Sequence, residues 1–246
     1  MSRRIRQQNG LDIPPKISVE VSAACTRRCP WCPQHDHTRM QELMPLEVIE
    51  KIARELAAVG FDGTFGLHLF NEPLADARLE DIVRRVKAIL PKAAVYFHTN
   101  GDLLTVERVR GLLAAGLDHM TVNHYDGQSQ ERFSALWGQL SDDERARVRD
   151  RKFRHHHIYN RAGLVATKRQ VPLQMQCRRI RQMCVNYRGD VVLCCNDFLG
   201  QVSVGNVRDK GVVELFNDPV LKRYRELLQG GKRAGLKMCD RCDLFG

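Results

Sequence analysis

Three cysteines fall within a stretch of eight residues, Cys25, Cys29 and Cys32 in CTRRCPWC. Three thiolates this close can reach one face of a metal centre without distorting the chain, and soft thiolate ligands suit iron–sulfur clusters or zinc. Zinc wants a fourth ligand, which His35 or His37 could supply. A 4Fe–4S cluster held by three cysteines leaves one iron free to bind a small molecule. A second set lies at the other end of the chain, where CDRC makes a two-thiolate clamp of Cys239 and Cys242. Between the two sets stand Cys177, Cys184, Cys194 and Cys195. The chain has 9 cysteines, an odd number, and no apolar segment after its basic N-terminus that would read as an export signal. That argues against a disulfide framework and for metal or catalytic use in the reducing cytoplasm. Three consecutive histidines, His155 to His157, also suggest metal, but successive strand residues point to opposite faces, so the three cannot meet one ion.

The cysteines need elements to position them. KISVEVS, ending just before Cys25, alternates like a strand. MPLEVIEKIARELAAVG has apolar residues at helical spacing, with Pro45 near its start and Gly60 at its stop. GTFGLHLF reads as strand, RLEDIVRRVKAILP as helix, AAVYFHTNG as strand and turn, TVERVRGLLAAG as helix and LDHMTVNHY as strand. Such alternation means parallel strands joined by crossovers, with a full or partial barrel as the leading architecture. After about Ala162 the pattern changes. QMCVNYRGDVVLCC predicts a hairpin around Arg188–Gly189, and GVVELFNDPVLKRYRELLQGG a short helix and a longer one. With 43% hydrophobic and 28% charged residues in 246, the chain is an ordinary globular protein. No apolar run is long enough for a membrane helix. The net charge of +10 leaves acidic partners open beside a merely solvated basic surface. No stretch interleaves dense Lys/Arg with aromatics, so no nucleic-acid partner is expected.

CxxxCxxC with Trp31 before its last cysteine, in the loop after the first strand of a β/α chain, resembles the radical S-adenosylmethionine (SAM) superfamily. Further segments agree in order and strand context. LFNEPLAD resembles the family's GGEP-type segment, although Phe70 and Asn71 stand where the glycine pair is usual. FHTNGDLLT resembles the third-strand TNG segment, and MTVNHYDG the end of the fourth strand. The resemblance implies that the open iron chelates SAM, whose reductive cleavage gives methionine and a 5′-deoxyadenosyl radical that takes hydrogen from a substrate. It assigns Trp31, Asn71, Glu72, Thr99, Asn100 and Asn123 to the cofactor, with Glu72 on the SAM ammonium. It also implies an external one-electron reductant such as flavodoxin or ferredoxin.

Cys177, eleven residues, Gly189, four residues and Cys194 resemble the first half of the SPASM and twitch auxiliary-cluster domains that follow some radical SAM cores. The resemblance makes Cys177, Cys194, Cys239 and Cys242 the ligands of a second 4Fe–4S cluster, in the shorter twitch form. Cys195 could exchange with Cys194, which the glycine spacing favours; a zinc site at these four is the alternative. Cys184 reads as a buried small hydrophobe. The expected fold is α/β: a partial (β/α)6 TIM-like barrel over residues 1–162, then a small α+β twitch/SPASM-type domain over 163–246. NRAG, near the junction, resembles a segment of twitch dehydrogenases and points to Arg161 and Tyr159 on the substrate side. In length and cluster layout the chain resembles the radical SAM dehydrogenases that oxidise 2-deoxy-scyllo-inosamine. There a secondary alcohol of a small cyclitol becomes a ketone and the auxiliary cluster accepts the second electron. Two other functions stay open: crosslinking or epimerisation of a ribosomal peptide, and a zinc-stabilised binding module. Only about 16 residues precede the first strand, so no fused leader-peptide domain is expected for the peptide reading.

Overall fold

The computed structural model describes residues 4–154 and 158–244. The His155–His157 run therefore lies outside the described residues. The chain opens with an antiparallel pair, β1 (Arg6–Gln8) and β2 (Leu11–Ile13). Then follow β3 (Lys16–Val19), α1 (Leu46–Ala58), β4 (Thr64–Gly66), α2 (Leu79–Ile89), β5 (Ala94–Thr99), α3 (Val106–Ala114), β6 (His119–His124), α4 (Gly127–Trp137), α5 (Asp142–Arg147) and β7 (Val148–Lys152). The remainder holds β8 (Met183–Val185), β9 (Asp190–Val192), β10 (Ser203–Asn206), α6 (Val212–Phe216) and α7 (Pro219–Gln229).

All strands after the first pair join one open sheet of eight, in the order β10-β9-β8-β3-β4-β5-β6-β7. The six from β8 to β7 are parallel, which gives the six barrel strands expected of the fold. The sixth is β8, the first strand of the C-terminal hairpin. Its Cys184 stands in register with Ser18 of β3. The division expected at residue 162 falls in the irregular stretch between β7 and β8, and the sheet continues across it. The hairpin turns where the sequence places it: Gly189 has φ +91°, and the Asn186 side chain accepts from the backbone N–H groups of Arg188 and Asp190.

Alternation along the strands sorts the two faces. Ile17, Val19, Phe65, Leu67, Val95, Phe97, Met120 and Val122 are all fully buried and belong to the apolar core shared with the helices. The helices contribute Ile49, Ile52 and Leu56 from α1 and Ile82, Val83 and Val86 from α2. The other face carries Lys16, Ser18, Tyr96, His98, His119, Thr121 and Asn123, a polar lining. Three segments depart from the sequence expectation. The first strand was expected to Ser22 and the second to Phe70, but the regular ladder ends at Val19 and Gly66. α4, α5 and β7 carry weak hydrophobic patterns; β7 is a charged edge strand with only Val148 buried. Among the described residues, no helix is long and apolar enough to cross a membrane.

Candidate functional site

The cysteine loop leaves β3 and is held by a partly exposed ion-pair fork at Arg27 and a buried ion pair at its far end. Arg27, inside the cysteine motif, binds Asp102 through Nε and Nη2, each at 2.6 Å, and Asp126 through Nη1 at 2.7 Å. Such forked pairing fixes geometry as well as supplying energy. At the far end Arg39 grips the fully buried Glu20 at 2.7 and 2.9 Å. The Arg39 guanidinium lies 4.8 Å from the Phe198 ring and 5.2 Å from that of Tyr187. The loop is thereby tied to the β8–β9 hairpin as well as to the barrel. Within it, Cys32 N–H donates to Cys29 O and His35 N–H to Cys32 O, both at 2.9 Å. Cys25, Cys29 and Cys32 are half-buried. Burial, then repulsion from the neighbouring thiols, pushes Cys29 up to about 11; burial also raises Cys25. Thiols so placed ionise when a metal takes the charge.

Beyond the thiols opens a cavity of about 310 Å³. It is lined by Cys25, Cys29, Trp31, Cys32, Asn71, Glu72, Thr99, Asn100, Asn123, Tyr159 and Arg161, so every residue proposed from the sequence for this half of the molecule meets there. Trp31 stacks on Phe153 at 5.0 Å. Glu72 is 2% exposed. Its carboxylate accepts from Thr99 Oγ1 at 2.6 Å, Asn100 N at 2.7 Å and Leu74 N at 3.0 Å. Its own N–H donates to Ala24 O at 2.8 Å, beside the first cysteine. Burial pushes Glu72 up to about 7 against the lowering effect of those three donors. Asn71, at the usual glycine position, accepts from Leu69 N through Oδ1 at 3.1 Å. Its Nδ2, like His68 Nδ1 and Arg161 Nε, is buried without a partner. Three orphaned polar atoms around one cavity fit a polar ligand bound there. A buried carboxylate beside an amide donor fits the ammonium and carboxylate of an amino acid in particular.

Cys177, Cys194, Cys239 and Cys242 line a second, small cavity together with Ile180, Leu193, Leu228 and Met238. Burial pushes Cys239 up to about 12 and also raises Cys177. Arg233 completes this wall at 1% exposure. Its guanidinium donates only to backbone carbonyls, those of Met175, Gln176, Cys242 and Leu244, at 2.7 to 3.4 Å. A buried cation with neutral acceptors is costly unless an anionic group faces it. Four thiolates around a metal cluster would supply that charge. Cys194 lines this cavity, whereas Cys195 lines the larger one. Cys184 lines neither; it is fully buried and accepts from Gln182 Nε2 at 3.5 Å.

Neither histidine weighed as a zinc ligand joins the thiols. His35 Nδ1 lies 3.0 Å from Arg28 O, and the His37 ring lies 6.1 Å from that of Phe198. Among the described residues, no three His, Cys, Asp or Glu side chains are spaced to hold a single metal ion. Zinc would draw its sulfurs to about 2.3 Å from one point, whereas both cysteine sets surround a space. Sequence reasoning did not find Arg27–Asp102, Glu20–Arg39, Arg233, or the barrel-wall group of His68, His98 and Tyr96. His68 lies 4.6 Å from His98 and 5.0 Å from Tyr96, ring to ring. Alternation along AAVYFHTNG put Tyr96 and His98 on one face and was the signal available for them.

Residues 19–133 match the radical SAM superfamily, and residues 177–243 match the SPASM iron–sulfur cluster-binding domain. The chain is 25% identical over 231 residues, 92% of each chain, to an S-adenosyl-L-methionine-dependent 2-deoxy-scyllo-inosamine dehydrogenase of Niallia circulans. It is also 32% identical over 111 residues to a GTP 3′,8-cyclase of Pelotomaculum thermopropionicum, a match spanning 44% of this chain and 33% of that one. Its fold matches the crystal structure of BtrN in complex with AdoMet and 2-DOIA, with a TM-score of 0.86, 24% identity and 94% of both chains covered. The order of motifs, the shared cavity and these matches agree: the chain belongs to the radical SAM superfamily and carries a C-terminal SPASM-type iron–sulfur domain.

Proposed function

We propose that this chain is a radical SAM oxidoreductase that dehydrogenates a secondary alcohol of a cyclitol- or sugar-like metabolite. One observation carries the reading: Arg179, Asn196 and Leu244 line both the larger cavity and the four-thiol cavity. A substrate in the larger cavity thus has the three-thiol loop on one side and the four-thiol site behind a shared wall. That arrangement suits a two-electron oxidation carried out one electron at a time. Similarity to the Niallia dehydrogenase along nearly the whole chain supports it.

In this reading Cys25, Cys29 and Cys32 hold one 4Fe–4S cluster, and Cys177, Cys194, Cys239 and Cys242 hold the other. With SAM bound, these groups supply hydrogen-atom abstraction from carbon and a one-electron acceptor. Loss of a carbon-bound hydrogen atom, one electron and the hydroxyl proton turns the alcohol into a ketone. The chain binds and orients. Glu72 takes the SAM ammonium on its remaining lone pair, and Asn71 Nδ2 donates to the cofactor. Thr99 and Asn100 hold Glu72 while Asn123 donates to Thr99 O at 3.4 Å. Trp31 closes one side against water. Arg161 and Tyr159 face the substrate. A guanidinium is a donor with no acceptor, so Arg161 orients the substrate oxygen rather than taking its proton. His68 lines the same cavity, its ring kept neutral by burial and the neighbouring His98. An external flavodoxin- or ferredoxin-like reductant and a cytoplasmic setting complete the proposal.

The test is anaerobic turnover with SAM, reductant and a panel of deuterated amino- and deoxy-cyclitols. Deuterium should enter 5′-deoxyadenosine, and the alcohol should lose two hydrogens. Consumption of the alcohol without any change in its mass would replace dehydrogenation by a redox-neutral reaction.

A further inference from the structure

One buried side chain joins the two cavities. Asn196 is 1% exposed. Its Nδ2 donates to Cys242 Sγ at 3.4 Å, and its backbone N–H donates to Cys194 Sγ at 3.4 Å. Its Oδ1 accepts from Arg161 Nη1 at 3.2 Å. The side-chain amide therefore has a guanidinium on its oxygen and the Cys242 sulfur on its nitrogen. The next residue fixes it in place. Asp197 is fully buried and accepts from the N–H groups of Gln201 at 2.6 Å, Val202 at 3.0 Å and Leu193 at 3.3 Å.

Arg161 is held as firmly, by its backbone. Arg161 and Ala162 have φ of +50° and +56°, a left-handed conformation that is strained for a non-glycine residue. The strain persists because Asn160 is bound on both sides. Its N–H donates to Asp243 at 2.9 Å, and its Nδ2 donates to Arg241 O at 2.6 Å, within the Cys239–Cys242 segment and just after it. Arg161 Nε has no partner, and the residue lines the larger cavity. Arg161 thus both lines the cavity and binds Asn196.

We propose that Asn196 is a positioning residue that relays the Arg161 charge onto the sulfur of Cys242 and raises the reduction potential of the auxiliary cluster. The proposal rests on the reading of these cysteines as cluster ligands. Hydrogen bonds to cluster sulfurs and nearby positive charge both favour the reduced, more negative state. A cation on the amide oxygen polarises the amide and strengthens its N–H donor. Arg179 lines both cavities, while the buried Arg233 is committed to backbone carbonyls and does not line the larger one. It is a constant background, whereas Arg161 is the arm that a substrate can touch. The acceptor's potential is thereby coupled to what occupies the cavity.

The experiment is an anaerobic potentiometric titration of the reconstituted full chain followed by electron paramagnetic resonance. The wave that SAM does not move is the auxiliary cluster. Asn196→Leu keeps the volume and removes the relay. It should shift the oxidised-to-reduced ratio at fixed potential about tenfold towards oxidised, or 59 mV lower for one electron. Arg161→Leu should move the same wave in the same direction. The double variant should go no further than Asn196→Leu alone, because the relay is already cut. An unmoved wave in Asn196→Leu overturns the relay, and so do additive shifts. Should Asn196→Leu fail to load its second cluster, Arg161→Leu carries the test from outside the four-thiol cavity, and an unmoved wave there overturns the relay. If wild type has no SAM-insensitive wave, the cluster assignment itself falls, and the relay with it.

Discussion

Replacing Glu72 by Gln separates binding from architecture. The native carboxylate accepts three chain hydrogen bonds, and burial holds its pKa near 7, so at pH 8 it is ionised at a desolvation cost. The amide removes that cost while forfeiting one of the three acceptor positions. The two effects oppose each other, and the variant should fold with near-native stability and full cluster content. SAM binding should suffer, because a charge-assisted hydrogen bond to its ammonium is worth about 1.5–3 kcal/mol, or roughly 10- to 100-fold in Kd. The pH dependence sharpens this. A carboxylate raised to about 7 is protonated as pH falls through that value and then no longer attracts a cation. Wild-type Kd should therefore rise about tenfold from pH 8 to pH 6, at the 1.36 kcal/mol per pH unit of a single titration. Any titration of SAM itself is common to both proteins, so the difference between the two profiles isolates Glu72. The assay is equilibrium dialysis of anaerobically reconstituted protein without reductant. Equal affinities with parallel pH profiles would refute the Glu72 assignment.

Three further outcomes are expected. Arg27→Met removes the fork that clamps the cysteine loop to Asp102 and Asp126, so iron content at the three-cysteine site should fall while the other site keeps its iron; unchanged iron would show that the loop holds itself. His98 is driven from 6.5 down to about 4 by burial and then by Lys16, so it folds neutral. Its contribution is present above pH 6.5 and is lost as pH falls towards 4, by up to about 3 kcal/mol; denaturant unfolding of His98→Gln should show a weaker acid loss than wild type. Gly189→Ala puts a methyl 2.7 Å from Asn206 Oδ1 at a φ of +91° and should cost about 1–3 kcal/mol in the same assay.

What the sequence disclosed was local. The cysteine spacings, the segment around Glu72, the strand ends at Thr99 and Asn123, and the helices from Leu46, Leu79 and Val106 are each readable within a dozen residues. The hairpin at Gly189 was readable too, but its place in the sheet was not, because pairing of Cys184 with Ser18 depends on contacts across the whole chain. The two clamps of the cysteine loop were hidden for the same reason: Arg27 meets an aspartate 75 positions away. α5 was the avoidable omission. Ser141 and Glu144 form a capping box in SDDE, a signal that needs no tertiary information. Arg233 looked like any surface arginine; only its burial among carbonyls beside four thiols marks it.

The central claim is that two separate cysteine sets each hold a 4Fe–4S cluster beside one substrate cavity. Iron and acid-labile sulfide per chain after anaerobic reconstitution test it most directly. About eight of each are expected in wild type, and about four when Cys25, Cys29 and Cys32 are replaced together by Ala. The Cys239→Ala, Cys242→Ala variant should also retain about four and still cleave SAM reductively. A wild-type plateau at four, or zinc in place of iron at the second set, would contradict it.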